Sequence, residues 1–182
     1  MPLAAGGGDR LIRIAITGPE SSGKTTLAAA LAAHYQSHWC PEYSRDYLAA
    51  SGTVYTLSDV VAINEGQLHR MADFVRLHAE EPFLFFDTET VVNRIWAEKK
   101  FGVCPQAILE TAQQPRFDLY LLCYPDIDWE EDPLREDPFN RMELFEAYVS
   151  VLTEIGAVYE VIKGKGEQRL MQAVRLIHDH CM

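Results

Sequence analysis

Gly18-Pro19-Glu20-Ser21-Ser22-Gly23-Lys24-Thr25 fits the pattern G-x-x-x-x-G-K-[ST], and its neighbours on both sides set its meaning. Before it runs Leu11–Thr17, a β-branched apolar stretch stopped by Gly18, as in a strand buried on both faces. After it, from Gly23 to about His38, the chain turns Ala- and Leu-rich, with Leu27, Ala30, Leu31, His34 and Tyr35 near helical spacing. A glycine-rich turn between a strand and a helix lets successive N–H groups converge on a phosphate at the helix N-terminus. Gly18 and Gly23 supply backbone conformations closed to residues with a Cβ. Lys24 adds positive charge toward β and γ phosphates, Thr25 offers a hydroxyl to Mg²⁺ and Thr26 one to an α-phosphate oxygen. Glu20, Ser21 and Ser22 belong to the same nucleotide-binding turn. The bland alternative is an ordinary Gly-rich turn.

The rest of the chain repeats the strand-then-helix order. His38–Tyr43 is short and aromatic, with Pro41 marking a strand end or sheet edge. Leu57 to about Ala79 has helical periodicity behind a Ser58 or Thr56 cap, and Glu81-Pro82 closes it before the apolar burst Phe83–Phe86. Asp118–Tyr124 and Ala157–Ile162 are two further strand-like runs, with a helix from about Asn140 to Glu154 between them. A last helix is expected from Gly166 onward, with Leu170, Val174 and Ile177 on one face. The expected fold is α/β: a three-layer sandwich with a mostly parallel five-stranded sheet between helices. One domain is expected over residues 11–182 behind a loose tail at 1–10. The proline-interrupted charged stretch from about Asp126 to Arg141 is the candidate lid.

Composition narrows the function classes. The chain has 182 residues, 48% apolar and 24% charged, the balance of a soluble globular protein. Lys plus Arg number 16 against 27 Asp plus Glu, a net charge of -11 that repels nucleic acid and anionic membranes. No apolar run approaches the roughly 18 residues of a spanning helix, and the Ala/Gly-rich start lacks a charged leader. Cys40, Cys104, Cys123 and Cys181 are scattered with no C-x-x-C pair, as expected in a reducing cytoplasm. A small-molecule partner is expected, and homo-oligomerisation stays open.

Several acids and bases fall where such a site needs them. Asp87 ends the apolar run Phe83–Phe86, where an acid holds the metal's water shell and ligands meet the C-terminal ends of parallel strands. The same position permits Asp87 to cap a helix starting near Thr90, and Glu89 lies beside it. In Pro41-Glu-Tyr-Ser-Arg-Asp-Tyr47, Glu42 can accept a substrate hydroxyl proton or bind a ribose diol, Arg45 can orient either substrate, and Tyr43 stands between them. An exposed Glu42–Arg45 salt bridge is the alternative. Arg135 and Arg141 can close over a γ-phosphate, although Glu130, Glu131, Asp132, Glu136 and Asp137 around them also fit a solvated charge network. Lys163-Gly-Lys-Gly166 follows the last strand, where backbone groups can meet an adenine edge, or form a plain turn. Trp129 and Tyr55 can stack on a base, or simply pack. His178-Asp-His-Cys181 has metal-capable atoms and reads better as a frayed C-terminus.

Together GPESSGKTT, PEYSRDYL, FFDTETVVNRIW and LCYPDIDWEEDPLREDPFNR resemble the ribosylnicotinamide kinase domain of the NadR-type proteins, over almost the whole chain from about Arg13. The resemblance implies ATP-dependent, Mg²⁺-requiring phosphorylation of the 5′-hydroxyl of nicotinamide riboside to nicotinamide mononucleotide, a step of NAD salvage. It implies that Gly18 to Thr26 hold ATP, that Asp87 serves the metal, and that Arg135 and Arg141 are lid arginines. Glu42 and Asp87 are both candidates for the substrate hydroxyl, with Tyr43, Arg45, Glu89 and Trp129 as further substrate contacts. Bifunctional relatives carry an adenylyltransferase domain before the kinase, whereas about ten residues precede the first strand here, so this chain is not expected to complete NAD synthesis alone. A kinase for another nucleoside shares every element named. A nucleotide-driven switch is the reading from another class, without an N-K-x-D motif to support it.

Overall fold

A computed structural model describes residues 10–52, 54–136 and 138–182. The expected tail, save Arg10, and Asp137 of the charged stretch lie outside them. The elements run β1 (Ile12–Thr17), α1 (Lys24–Tyr35), β2 (His38–Cys40), α2 (Tyr43–Ser51), α3 (Leu57–Leu77), β3 (Phe83–Asp87), α4 (Thr90–Phe101), α5 (Gln106–Ala112), β4 (Leu119–Cys123), α6 (Arg141–Glu154), β5 (Tyr159–Ile162) and α7 (Gly166–Cys181). The strands form one sheet in the order β2-β3-β1-β4-β5, and every adjacent pair is parallel.

The continuous apolar character of the central strands follows from burial on both faces. Ile14, Ile16, Phe85, Leu119 and Leu121 face α1 and α7, while Ala15, Leu84, Phe86, Tyr120 and Leu122 pack with residues of α3, α4 and α6. A smaller cluster of Val60, Ala97 and Ile108 joins α3, α4 and α5 outside that layer. Because all strands are parallel, their C-terminal ends share one rim, and a switch point falls there between β1 and its two neighbours.

Three departures from the sequence-based expectations bear on the site. The segment expected to trail from the second strand is helix from Tyr43, packed so tightly on α3 that a Cβ on Gly66 would stand 2.1 Å from the Tyr43 ring. The cap of α4 is Glu89, not Asp87: its carboxylate accepts from Val91 N, and Asp87 stays at the strand end. The C-terminal helix continues to Cys181 without fraying, and His180 pairs with Glu160. Thr56, not Ser58, caps the long helix, in a capping box with Asp59.

Candidate active site

The phosphate loop lies over the C-terminal ends of β1 and β4. Gly18 has φ 133°, and a Cβ there would stand 2.7 Å from the Cys123 carbonyl oxygen, so only glycine allows so close an approach. Gly23 caps α1 with φ 77°, and a Cβ would meet Ile127 Cδ1 at 2.7 Å. Lys24 Nζ donates to the Gly18 and Pro19 carbonyls at 2.9 and 2.8 Å, folded across its own loop. The Ser22 hydroxyl donates to Pro19 O at 2.7 Å and stiffens the turn.

Beneath the loop lies an acid ladder. Thr25 Oγ1 donates to Asp87 Oδ2 at 2.6 Å, while Asp87 Oδ1 is buried with no hydrogen-bond partner among the described residues. Burial pushes the Asp87 carboxyl up to about 6, against the pull of the Thr25 hydroxyl and the Lys24 charge. Thr88 has φ 74°, a left-handed conformation that a β-branched residue adopts at a cost of about 1–3 kcal/mol. That twist lets Asp87 reach α1 while Glu89 turns inward, where Thr17 Oγ1 donates to it at 3.0 Å. Complete burial lifts the Glu89 carboxyl to about 7, opposed by the bonds from Val91 N and Thr17.

The connection from β4 to α6, the candidate lid, crosses the loop and is bonded to it. Glu130 N donates to Ser21 Oγ at 3.0 Å, and Glu136 N to Glu20 Oε2 at 2.9 Å. Arg141 donates to Ser21 O and Ile127 O, at 3.1 and 2.8 Å. Arg135 reaches Ser21 Oγ at 3.4 Å and lies 3.8 Å from Glu130 and 3.9 Å from Asp132, so it touches the loop and a charge network at once. Trp129 sits with both guanidiniums 6.0 Å from its ring, as their packing surface.

A cavity of about 880 Å³ opens from the loop toward α2 and α4. Glu42, Arg45, Tyr55, Trp96, Lys100 and Arg135 are among its walls, with Lys165 and Gly166 of the last turn at the loop end. Glu42 accepts from the Ser44 hydroxyl at 2.5 Å, and Arg45 lies 3.8 Å from Glu42 and 3.0 Å from Asp132, tying α2 to the lid. Across the cavity, Trp96 Nε1 and Lys100 Nζ both donate to Tyr55 Oη, and Lys100 also pairs with Glu136 at 2.7 Å. Tyr43, by contrast, turns away: its ring lies under the Arg70 guanidinium at 4.8 Å, and its N–H donates to Gln67. Asp87 and Glu89 are likewise beneath the floor, buried to 2% and 1% exposure.

The sequence pattern of the AAA domain family matches residues 13–169. The chain belongs to the AAA domain family. Its similarity to the trifunctional NAD biosynthesis/regulator protein NadR of Escherichia coli (strain K12) is 28% identity over 91% of this chain and 42% of that protein. The NadR of Salmonella typhimurium is 27% identical with the same coverage, so the chain spans less than half the length of these relatives. Among solved structures, a NadR protein in complex with NR superposes with TM-score 0.78 at 24% identity, over 93% of this chain and 50% of that one. Thymidylate kinase from Ehrlichia chaffeensis gives TM-score 0.69 at 12% identity, over 92% and 98% of the two chains. These likenesses establish the nucleoside-kinase-like fold.

Within this AAA domain, sequence reasoning overlooked Trp96, Lys100 and Arg169. Val92, Trp96 and Lys100 are four residues apart and line one wall, so the helical spacing behind Asp87 carried the signal. Arg169 is 3% exposed beneath the loop, donating to the Gly164 and Tyr124 carbonyls at 3.1 and 3.3 Å. A cation spaced by four with the buried Ala173 and Ile177 was its mark. Among the described residues, no helix is long and apolar enough to cross a membrane, and all four cysteines are free.

Proposed function

We propose that the chain is a cytoplasmic phosphotransferase of NAD salvage that moves the γ-phosphoryl group of ATP to the 5′-hydroxyl of nicotinamide riboside, yielding nicotinamide mononucleotide and ADP. The observation that carries it is that the Lys24 loop and Glu42 face one cavity whose far wall is aromatic, Tyr55 with Trp96. The NadR relatives are described as acting in NAD biosynthesis, and NadR structures hold NR or NAD with AMP-PNP, which supports the same pair of substrates here.

The phosphate loop residues fit a nucleotide, because Gly18 and Gly23 hold positive φ beside the N-terminus of α1, where a Cβ would strike Cys123 or Ile127. Thr25 Oγ1 and the unpartnered Asp87 oxygen fit Mg²⁺, a hard ion that takes oxygen donors. When bound, Mg²⁺ supplies charge neutralisation to the β and γ phosphates. Lys24 releases its two carbonyls to meet the phosphates, and Arg135 and Arg141, both anchored at Ser21, steady the charge that develops on the transferred group. Glu42 lines the cavity and Asp87 does not, so Glu42 is the group that takes the 5′-hydroxyl proton. The new O5′–P bond forms as the bond to the β-γ bridging oxygen breaks, and that oxygen leaves with ADP.

The cation of the acceptor also suits the wall. Lys100 Nζ lies 3.8 Å from the Tyr55 ring centre, so this aromatic face already takes a positive charge, with Glu136 as its counter-ion. A pyridinium ring offers the same charge on a flat body. The test is ADP release with Mg-ATP against nicotinamide riboside, common ribonucleosides and deoxyribonucleosides, and no acceptor. Turnover confined to nicotinamide riboside is expected. Turnover with another nucleoside makes the chain a different nucleoside kinase, and acceptor-independent turnover makes it a switch ATPase.

A further inference from the structure

At the opposite end of the sheet from the phosphate loop, three side chains with no part in the proposed reaction converge. His38 is the first residue of the edge strand β2, His78 is the C-cap of α3, and Glu81 lies in the turn to β3. Both imidazoles approach the same carboxylate oxygen with the same ring atom: Nδ1 of His38 and of His78 stand 2.5 and 2.9 Å from Glu81 Oε1. The rings stack with centres 4.1 Å apart. The other carboxylate oxygen is already engaged, accepting from Ser37 Oγ at 2.5 Å and His38 N at 3.1 Å.

From this convergence we propose a divalent transition-metal site of the zinc class at His38, His78 and Glu81, separate from the Mg²⁺ chemistry of the phosphate loop. Two imidazoles and a carboxylate form the donor set that such ions select over Mg²⁺. Their candidate ligand atoms all lie within 4.8 Å of one another. Ligand atoms around a tetrahedral ion stand about 3.3 Å apart for bonds near 2.0–2.1 Å, so each imidazole retreats by less than about 1 Å. His38 can do so, since its side chain is 61% exposed. In the metal-free protein each Nδ1–H donates to the carboxylate oxygen, and a bound cation takes the place of these two protons on the same atoms. The Ser37 and His38 N–H contacts orient the carboxylate before any ion arrives, as supporting hydrogen bonds do in metal sites. A fourth position opens to water on the exposed His38 side. The ion would fasten the end of α3 to the start of the sheet's edge, so its effect is on stability.

The experiment titrates Zn²⁺ into the full chain, cleared of metal with a chelator and kept in excess Mg²⁺, by calorimetry and thermal unfolding. His38→Asn, His78→Asn and Glu81→Gln are measured beside it, with circular dichroism to check their fold, and Co²⁺ absorption serves as a second readout. One equivalent is expected to bind the wild type with Kd tighter than about 10 µM. A roughly hundredfold excess over Kd should raise Tm by about 5 °C. Each variant is expected to weaken binding at least about tenfold and to remove the Co²⁺ band. Equal binding in wild type and variants would assign the ion to the cysteines or the C-terminal histidines and overturn the proposal. So would variants destabilised without metal beside a wild type that ignores Zn²⁺, which would reduce the cluster to hydrogen bonding.

Discussion

The two halves of the cavity are built by different means. The nucleotide half is backbone: seven consecutive residues from Gly18 to Lys24 make a cradle whose shape depends on two glycines and a helix start. The acceptor half is side chains from Glu42, Tyr55, Trp96, Lys100 and Glu136, five positions spread over almost a hundred residues, the last four joined by hydrogen bonds. A backbone cradle grips any nucleotide triphosphate, whereas a wall of separate side chains is what distinguishes one acceptor from another. Asp87 accepts from Thr25 beside the loop, and Glu89 accepts both from Thr17 of β1 and from Val91 N of α4, the helix that carries Trp96 and Lys100, so the buried acids join the two halves.

The sharpest blow to the nucleotide half is Lys24→Ala. It should lower turnover by about 10³-fold or more and leave Tm within about 2 °C, because the bonds Lys24 makes among the described residues are to carbonyls of its own loop. Steady-state kinetics with thermal unfolding check both, and wild-type turnover would break the division proposed here.

The ladder between the halves is probed by Glu89→Gln. Burial raises the Glu89 carboxyl from 4.5 to about 7, so the folded protein holds its proton more tightly than the unfolded chain does. Stability from this group is therefore present at pH 4 and is lost as pH rises through 4.5 to 7. Relative to wild type, the variant should gain about 3 kcal/mol between pH 4 and pH 8, measured by urea unfolding at both pH values. A difference independent of pH would mean that Glu89 does not titrate in the fold.

Arg135→Ala should reduce kcat by about 10²-fold with a smaller change in nucleotide affinity, because contacts to developing charge matter most in the transition state. A change confined to KM would instead make Arg135 a ground-state anchor. The mildest change, Lys100→Met, should lower the acceptor KM a few-fold, because it frees Tyr55 and Glu136 for the cationic acceptor, and leave the ATP KM unaltered. Equal effects on both substrates would erase the boundary between the halves.

The same contrast explains what could be read from the chain. Gly18 to Thr25 carries its own spacing, and Leu11–Thr17 and Phe83–Phe86 carry continuous burial, so the loop, the parallel sheet and the position of Asp87 were legible. The helix from Tyr43 was not, because its stability comes from docking on Gly66 of α3, a contact invisible at that distance in sequence. The Trp96 and Lys100 wall escaped for a related reason: a four-residue spacing on α4 shows a shared face and says nothing of what that face meets. Glu89 was placed near the site, but its capping role needed the left-handed Thr88, which composition does not announce.

The fate of labelled phosphate tests the central claim most directly. With ATP labelled at the γ position, Mg²⁺ and nicotinamide riboside, the account predicts that the label appears on the 5′-oxygen of nicotinamide mononucleotide in step with ADP. Label recovered as inorganic phosphate, at the same rate with and without the riboside, would contradict it.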